Sequence, residues 1–340
     1  MSKILVTGAT GFIGTHVVEQ LLAEGRRVRV FVRRPELLAP ATRARVEVTQ
    51  GDLVETGIPR RTFDGVESVI HLAAFARAWC RDPHDFTAVN VDAVARLLEE
   101  CDRRGVRRVV HVSSVTAAGV PGATGNGKRA LTPYAISKWE GERLVADYVA
   151  TGGDAVIVRP TRVYGPGPLT DANATTRMID LYLTGRFRFR LADGGALANY
   201  VHVADVAAGM LLAERRGTRG GKYFLGGENI SLPGFLERAG RIVGVRHATV
   251  ELPAALGLAV GGAAELWGRL GGSAFITRAW VRFFLEDQSV DLEPTRRDLG
   301  YCPRSLDEGL TQTIAWLGYG KGGVRHEADR RSAARAATQA

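Results

Sequence analysis

The chain has few cysteines and no cluster of metal-ligating side chains. Its three cysteines, Cys80, Cys101 and Cys302, are scattered along 340 residues, and neither their number nor their spacing suits a disulfide framework or a zinc site. The seven histidines do not pair at the spacing of metal ligands either. We therefore expect no metal and a reducing, cytoplasmic environment.

A hydrophobic run long enough to cross a bilayer is also missing. The most apolar segment, residues 253–264, is short and rich in glycine, and the amino terminus starts with a strand-like run instead of a signal peptide. The net charge of +9 is spread over many segments, including residues 321–340 with five basic and two acidic side chains. We expect no membrane insertion and no nucleic-acid partner, and we interpret the charge as solvated surface plus one anion site.

A glycine-rich turn lies between an apolar run and an amphipathic stretch near the amino terminus. Residues 4–7 are typical of a buried strand, and Gly8, Gly11 and Gly14 follow ahead of a helical stripe. Glycines let the backbone approach a pyrophosphate closely, and the start of the next helix supplies free N–H groups and a partial positive charge. Strand, turn and helix together predict a dinucleotide site.

Strand-like and helix-like segments alternate over the first half of the chain. Further apolar runs fall at residues 27–32, 46–48, 66–72, 107–112 and 155–158. They are separated by helical stripes, the longest at 82–105 and 132–150. This alternation predicts an α/β fold with a Rossmann-type doubly wound parallel sheet, formed by residues 1–160 and parts of 195–225.

The pattern changes after residue 160, where a passage rich in proline and glycine leads into helical stripes and short strands. We assign residues 161–195 and 226–318 to a smaller, mostly helical C-terminal lobe that binds the substrate. Residues 319–340 have low hydrophobicity and are expected to be disordered.

Two arginines follow the second predicted strand, where a dinucleotide fold meets the adenosine ribose. An acidic residue there bonds the 2′-hydroxyl of NAD, whereas an arginine accommodates the 2′-phosphate of NADP. Arg33 and Arg34 stand in place of the acid, and Asp52 follows the third strand at the adenine edge. We predict NADP(H), with NAD(H) as the alternative; the competing interpretation is a surface pair on an arginine-rich protein.

Four side chains predict proton-transfer chemistry at the sheet edge. Ser113 and Ser114 follow the fifth strand, and Tyr134 and Lys138 lie one turn apart on the next helix. Tyrosine has an unperturbed pKa of about 10, and a nearby cation lowers that pKa enough for exchange with a carbonyl or alcohol. Only five of the 45 basic residues are lysines, so a lysine at 138 suggests a need for a compact ammonium.

A series of short motifs runs in order along the chain: TGATGFIG at 7–14, HLAA at 71–74, VNV at 89–91, SS at 113–114, YAISK at 134–138, RPTRVYGP at 159–166 and VHVADV at 201–206. In this order they resemble the extended short-chain dehydrogenase/reductase family, also called the NAD-dependent epimerase/dehydratase family. The resemblance covers residues 3 to 318. It is more specific for the family than for the reaction.

The resemblance implies that Ser114, Tyr134 and Lys138 form a catalytic triad for hydride transfer at nicotinamide C4, with Lys138 also bonding the nicotinamide ribose. Asn90 would support the active-site backbone. Some members are homodimers through the helices at 82–105 and 132–150, and others are monomers. The residues expected at the cofactor are Gly8, Thr10, Gly11, Phe12, Ile13, Gly14, Arg33, Arg34, Asp52, Leu53, Ala73, Ala74, Ser113, Lys138, Pro160 and Val163.

Members of this family are either reductases and dehydrogenases of ketones and alcohols, or epimerases and dehydratases of nucleotide sugars. The arginine pair favours the first group, which includes dihydroflavonol reductases and 3β-hydroxysteroid dehydrogenases. Sugar-nucleotide members usually carry an arginine and an acid where this chain has Ala198 and Asn199. We predict an NADP(H)-dependent reductase or dehydrogenase that transfers a hydride between the nicotinamide and a hydrophobic ketone or secondary alcohol, with Tyr134 as the general acid or base. The alternatives are an epimerase or dehydratase with bound NAD and a non-catalytic NADP-sensing protein.

Some apolar side chains are expected to line the substrate pocket, although each is also suited to the core. Phe75 and Trp79 are favoured because they follow the fourth strand at the catalytic edge. Asn173 would bond a substrate oxygen or serve as a helix N-cap. The other bulky candidates are Phe187, Phe189, Trp267, Phe275, Trp280, Phe283 and Phe284.

Overall fold

The computed structural model describes residues 3–77, 80, 82–119, 132–187, 189–191, 196–248, 250–269 and 277–320. Trp79, Phe275 and the expected disordered tail beyond residue 320 lie outside the described residues. The prediction of disorder is wrong at its first residue, because Tyr319 is buried and its hydroxyl donates to Asp180 Oδ1 at 2.6 Å.

Strands and helices alternate as the sequence predicts. The strands are β1 (Lys3–Thr7), β2 (Arg27–Val32), β3 (Glu47–Gln50), β4 (Val66–His71), β5 (Arg108–Val112), β6 (Ala155–Pro160), β7 (Arg162–Tyr164), β8 (Phe189–Leu191), β9 (Leu197–His202), β10 (Lys222–Leu225), β11 (Glu228–Ser231) and β12 (Val250–Leu252). The helices are α1 (Phe12–Ala23), α2 (Pro40–Arg43), α3 (His84–Thr87), α4 (Ala93–Arg103), α5 (Pro133–Ala150), α6 (Ala174–Leu183), α7 (Val203–Arg216), α8 (Leu232–Val243), α9 (Ala254–Arg269), α10 (Arg278–Leu285), α11 (Glu293–Leu299) and α12 (Leu306–Trp316).

One parallel sheet has the strand order β10-β6-β5-β4-β1-β2-β3. Its central strands are apolar along nearly their whole length because helices bury both faces. Helices α1 and α7 cover one face with Leu21 and Met210, and α4 and α5 cover the other with Leu97 and Val145. The predicted Rossmann-type sheet is confirmed. Its strand order reverses between β1 and β4, which opens a crevice at their carboxyl ends.

The helix predicted over 82–105 is interrupted by a π-helical turn at Ala88–Asp92, between α3 and α4. This wider turn points Asn90 inward, where its side chain is buried. Its amide donates to Phe75 O at 3.1 Å and to Ser137 Oγ at 2.9 Å, and its Oδ1 accepts from Phe75 N at 2.9 Å. Asn90 thereby ties the segment after β4 to α5.

The C-terminal region forms a smaller, mostly helical layer beside the sheet. Strand β9 pairs in parallel with β7 and antiparallel with β11, and α6, α8 and α12 pack there around Tyr200 and Phe235. Phe187 packs against this core and Trp267 is 65% exposed, and neither is in the lining of the cavity described below. The assignment of residues 161–195 and 226–318 to a substrate lobe stays a prediction. Within the described ranges, no helix is both long and apolar enough to cross a membrane.

Two buried histidines stack behind the sheet edge. The rings of His71 and His111 have centroids 5.8 Å apart, and His71 Nδ1 lies 2.7 Å from Thr7 Oγ1. His71 Nε2 and both ring nitrogens of His111 have no hydrogen-bond partner among the described residues. Burial, with the Lys138 ammonium as a second cause, lowers the pKa of His71 to about 3 and holds that of His111 well below its usual value.

The lowered pKa values of His71 and His111 predict that the folded chain loses stability in acid. Between pH 6.5 and about 3 the unfolded chain takes up protons that folded His71 does not, so the free energy of unfolding falls as the pH falls. We expect a slope of about 1.4 kcal/mol per pH unit from each such histidine. Urea unfolding of a His111→Phe variant across this range should therefore show a shallower slope. An unchanged slope would mean that His111 is protonated in the folded chain.

Candidate active site

The glycine turn between β1 and α1 forms a backbone cradle. Gly8 has φ of 72°, and a Cβ added there would lie 2.6 Å from the backbone nitrogen of Ala73. A Cβ at Gly14 would clash with the carbonyl of Gly8. Gly11 precedes α1 without a side-chain cap, so the first N–H groups of this helix are not satisfied by a capping side chain. The turn therefore fits a pyrophosphate.

A cavity of about 820 Å³ extends from this cradle over the crevice between β1 and β4. Its size is within the range for a cofactor or drug-sized ligand. Each residue predicted at the cofactor lines it, from Arg33 and Arg34 at one end to Lys138 and Val163 at the other. The strand ends place these residues together because the carboxyl ends of parallel strands meet at one edge. The donor set fits an extended dinucleotide.

The end of the cavity that we predicted to take the adenosine ribose carries two exposed arginines after β2. Asp52 Oδ1 accepts from the backbone nitrogens of Val54 at 2.7 Å and Glu55 at 3.2 Å, which fixes the turn after β3. Its Oδ2 lies 3.6 Å from Arg33, whose side chain is 73% exposed. Such an exposed pair stabilises little, so Arg33 can exchange this partner for another anion.

The predicted catalytic side chains meet at the end of β5. Helix α5 begins at Pro133 with Thr132 as its N-cap, whose Oγ1 accepts from Ala135 N at 3.0 Å, and this places Tyr134 in the first turn. The Ser114 hydroxyl is hydrogen-bonded to the Tyr134 phenol and accepts from Thr116 Oγ1 at 2.9 Å. Lys138 is buried and its ammonium donates to Val112 O at 2.7 Å.

The expectation that Lys138 lowers the pKa of Tyr134 is wrong for this arrangement. Burial raises the pKa of Tyr134 above its usual value, and the hydrogen bond from Ser114 opposes that rise. Burial lowers the pKa of Lys138 to about 8, with the Glu142 carboxylate opposing the fall. Near neutral pH the phenol therefore carries its proton, and Lys138 is the first of the two to lose one as the pH rises.

A buried ion pair fixes α5 against β6. Arg159 donates to both carboxylate oxygens of Glu142, at 2.8 and 2.6 Å, and the two side chains are only 2% and 1% exposed. Burial disfavours the Glu142 carboxylate, but its bonds to Arg159 hold its pKa below the usual value. Glu142 is one turn beyond Lys138 on α5, which explains its effect on that ammonium.

Two of the predicted substrate residues, Phe75 and Asn173, differ in their position relative to the cavity. Phe75 lines the cavity and packs edge-on against Phe86, with ring centroids 5.0 Å apart. Asn173 is fully buried outside the cavity lining, and its Nδ2 donates to Gly165 O and Gly167 O, both at 3.3 Å. It occupies the N-cap position of α6 without a side-chain cap bond, and its role as a substrate ligand stays a prediction.

The sequence reasoning did not select Arg162 or the threonine at 277 as site residues. Both line the cavity on the side of the C-terminal region, together with Thr161, Ala279 and Phe283. The available signal was an unexplained arginine inside the 159–166 motif. Among the bulky lobe candidates whose side chains the structure describes, Phe283 lines this cavity and Phe187, Trp267 and Phe284 do not.

Comparisons with known proteins agree with this architecture. The model of the NAD dependent epimerase/dehydratase family matches residues 4–226. "Sterol demethylase protein B" of Methylococcus capsulatus is 31% identical over 326 residues, covering 92% of this chain and 97% of that protein. "Putative dihydroflavonol 4-reductase" of Synechocystis sp. is 30% identical over 331 residues, covering 92% and 93%.

Solved structures share the fold over nearly the whole chain. "Crystal structure of gox2253" has a TM-score of 0.77 at 30% identity, covering 93% of this chain and 98% of that one. "MoeE5 in complex with UDP-glucuronic acid and NAD" has a TM-score of 0.71 at 28% identity, also covering 93% and 98%.

The effect of the Glu142 carboxylate on the pKa of Lys138 predicts where activity falls at alkaline pH. Glu142→Gln removes a charge that favours the Lys138 ammonium, so the alkaline limb of kcat/KM, expected near pH 8, should move to lower pH. The variant also leaves Arg159 buried without its partner, which should cost about 3–5 kcal/mol of stability. Rate–pH profiles and urea unfolding measure the two effects. Glu67→Gln, which alters a surface ion pair with Arg107, is the matched control and should move neither. If the alkaline limb of kcat/KM stays at the same pH in Glu142→Gln, the assignment of that limb to the Lys138 ammonium is contradicted.

Proposed function

We propose, because the chain belongs to the NAD-dependent epimerase/dehydratase family, that it is an NADP(H)-dependent oxidoreductase interconverting a hydrophobic ketone and a secondary alcohol. The observation that carries the proposal is one continuous cavity with an arginine pair at one end and a protonated phenol at the other. The first suits a 2′-phosphate and the second suits a carbonyl oxygen that must gain a proton.

The residues of the chain have distinct roles in this reaction. Bound NADPH would supply a hydride from nicotinamide C4 to the carbonyl carbon. Tyr134 donates its proton to the carbonyl oxygen, and Ser114 holds that oxygen and the phenol in one hydrogen-bonded group. Lys138, while protonated, would donate a hydrogen bond to the nicotinamide ribose. The turn from Gly8 to Gly14 holds the pyrophosphate.

Ala198 and Asn199 stand where sugar-nucleotide members of the family usually carry an arginine and an acid, and this difference supports a reductase. Asn199 makes hydrogen bonds only within the fold: Oδ1 accepts from Thr161 Oγ1 at 2.9 Å and Gly227 N at 2.8 Å, and Nδ2 donates to Asn229 Oδ1 at 2.8 Å. Ala198 is buried beside it and carries no charge. The positions that usually hold a pyrophosphate-binding arginine and its acid are thus part of the strand packing. The relative named as a dihydroflavonol 4-reductase supports the same choice.

A nucleotide-sugar epimerase or dehydratase is the second candidate. The 28% identity to a protein solved with UDP-glucuronic acid and NAD favours it. Such an enzyme would keep NAD bound and show no net use of NADPH. Incubation with UDP-glucose or UDP-glucuronic acid, followed by product analysis, separates it from a ketone reductase.

Tyr134→Phe tests the proton donor. We expect kcat for reduction of a hydrophobic ketone to fall about 10²- to 10⁴-fold because the carbonyl oxygen loses its acid. NADPH affinity, measured by fluorescence titration, should stay within about threefold. Tyr182→Phe, a buried tyrosine of the C-terminal core, is the matched control and should retain activity. Turnover of Tyr134→Phe within tenfold of the parent chain would show that another group supplies the proton.

Replacing the arginine pair tests cofactor choice. In Arg33→Ser/Arg34→Ser the ratio of kcat/KM for NADPH over NADH should fall about 10- to 100-fold, because charge-assisted bonds to the 2′-phosphate are lost. Arg60→Ser/Arg61→Ser makes the same charge change at another exposed adjacent pair and should leave the ratio as it is. An equal response of the two double variants would place the 2′-phosphate elsewhere.

A further inference from the structure

Arg162 is a half-buried cation in the wall of the cavity. It begins β7, two residues after Pro160, and lines the cavity beside Val163 and Phe283. Its Nε is buried and has no hydrogen-bond partner among the described residues. Burial lowers the pKa of Arg162, but a guanidinium stays protonated near neutrality, so the charge persists.

The partners of Arg162 are aromatic and neutral. The guanidinium carbon lies 5.6, 4.8 and 4.2 Å from the ring centroids of Tyr200, Phe283 and Phe284. Its Nη1 donates to Tyr200 Oη at 3.2 Å and its Nη2 to Phe283 O at 3.3 Å. Across the described part of the chain, no carboxylate forms an ion pair with it, although Asp85 and Asp171 line the same cavity.

This arrangement orients a cation without neutralising it. Two of the five N–H donors of the guanidinium are used by neutral groups, while the ring faces attract the charge and fix its plane. A partly buried charge without a counter-ion still costs free energy, and a purely structural link between β7 and α10 would not need one. Among the described residues Arg162 therefore has no counter-anion, and its unused donors face a cavity that can supply one.

We infer that Arg162 binds a carboxylate of the substrate, so that the chain acts on ketones or alcohols that also carry an acid group. This inference rests on the proposed function, because the cavity must hold the carbonyl at Tyr134 and the acid at Arg162 together. A planar carboxylate matches the planar fork of a guanidinium, and the surrounding apolar wall strengthens the bond by excluding water. Arg162 thus selects the substrate class, and Tyr134 performs the proton transfer.

The test compares oxo acids with their own methyl esters. The probes are decanoic acids that carry the ketone at carbon 3, 4 or 5, each paired with the methyl ester, with NADPH oxidation as the readout. For at least one pair we expect kcat/KM of the acid to exceed that of the ester by more than tenfold. In Arg162→Met this acid-to-ester ratio should fall about 10- to 100-fold, mainly through KM of the acid. Arg162→Lys should retain part of the ratio, because it keeps the charge and loses the fork.

A second measurement on the unaltered protein does not depend on how the variants fold. Decanoate should inhibit reduction of a neutral ketone competitively, and decanol at the same concentration should inhibit at least tenfold less. Equal inhibition by the two compounds would overturn the inference. So would acid-to-ester ratios near one for every pair, or a ratio that survives in Arg162→Met.

The outcomes also separate this inference from the proposed function. If neutral ketones and esters are reduced but acids have no advantage, the oxidoreductase stands and Arg162 has a structural role. If no ketone of either kind is reduced and UDP-sugars are converted instead, the proposed function fails first. In that case Arg162 would hold a phosphate, which also contradicts the carboxylate assignment.

Discussion

The buried ion pair between Arg159 and Glu142 is the constraint on which the site depends. It joins the end of β6 to α5, so it fixes the helix that carries Tyr134 and Lys138 against the strand that leads into Arg162. Burying two charges is costly, and an apolar pair of equal volume would often be at least as stable. In this chain the pair fixes the position of α5 against β6, and its carboxylate favours the ammonium form of Lys138.

The same burial that makes the site specific also sets its proton chemistry. Burial raises the pKa of Tyr134 and lowers the pKa of Lys138 to about 8, so the two values move apart and Lys138 loses its proton first as the pH rises. Behind Lys138, the neutral rings of His71 and His111 fill the sheet edge without adding charge. The resting site therefore holds a protonated phenol beside an ammonium. That state is ready to deliver a proton to a carbonyl, which is what a reductase requires.

Local sequence patterns predicted much of this arrangement. The glycine turn, the strand ends and the pair at 134 and 138 depend on residues close in the chain, and the parallel sheet brings their ends to one edge. What these patterns did not predict depends on distant packing. The pKa of Tyr134 follows from burial by several elements, and Asn173 is occupied by the carbonyls of a loop that folds back on it. Arg162 went unrecognised because its charge is isolated by rings on α10, more than a hundred residues later.

The central claim is that the cavity brings a nicotinamide and a ketone together over Tyr134. Its most direct test uses NADPH labelled with deuterium at nicotinamide C4, in each of the two C4 configurations, with a hydrophobic ketone and mass analysis of the alcohol. We expect one of the two labelled cofactors to place a single deuterium on the carbinol carbon of the product. An alcohol that is free of deuterium with both cofactors, or UDP-sugar conversion without any NADPH use, would contradict it.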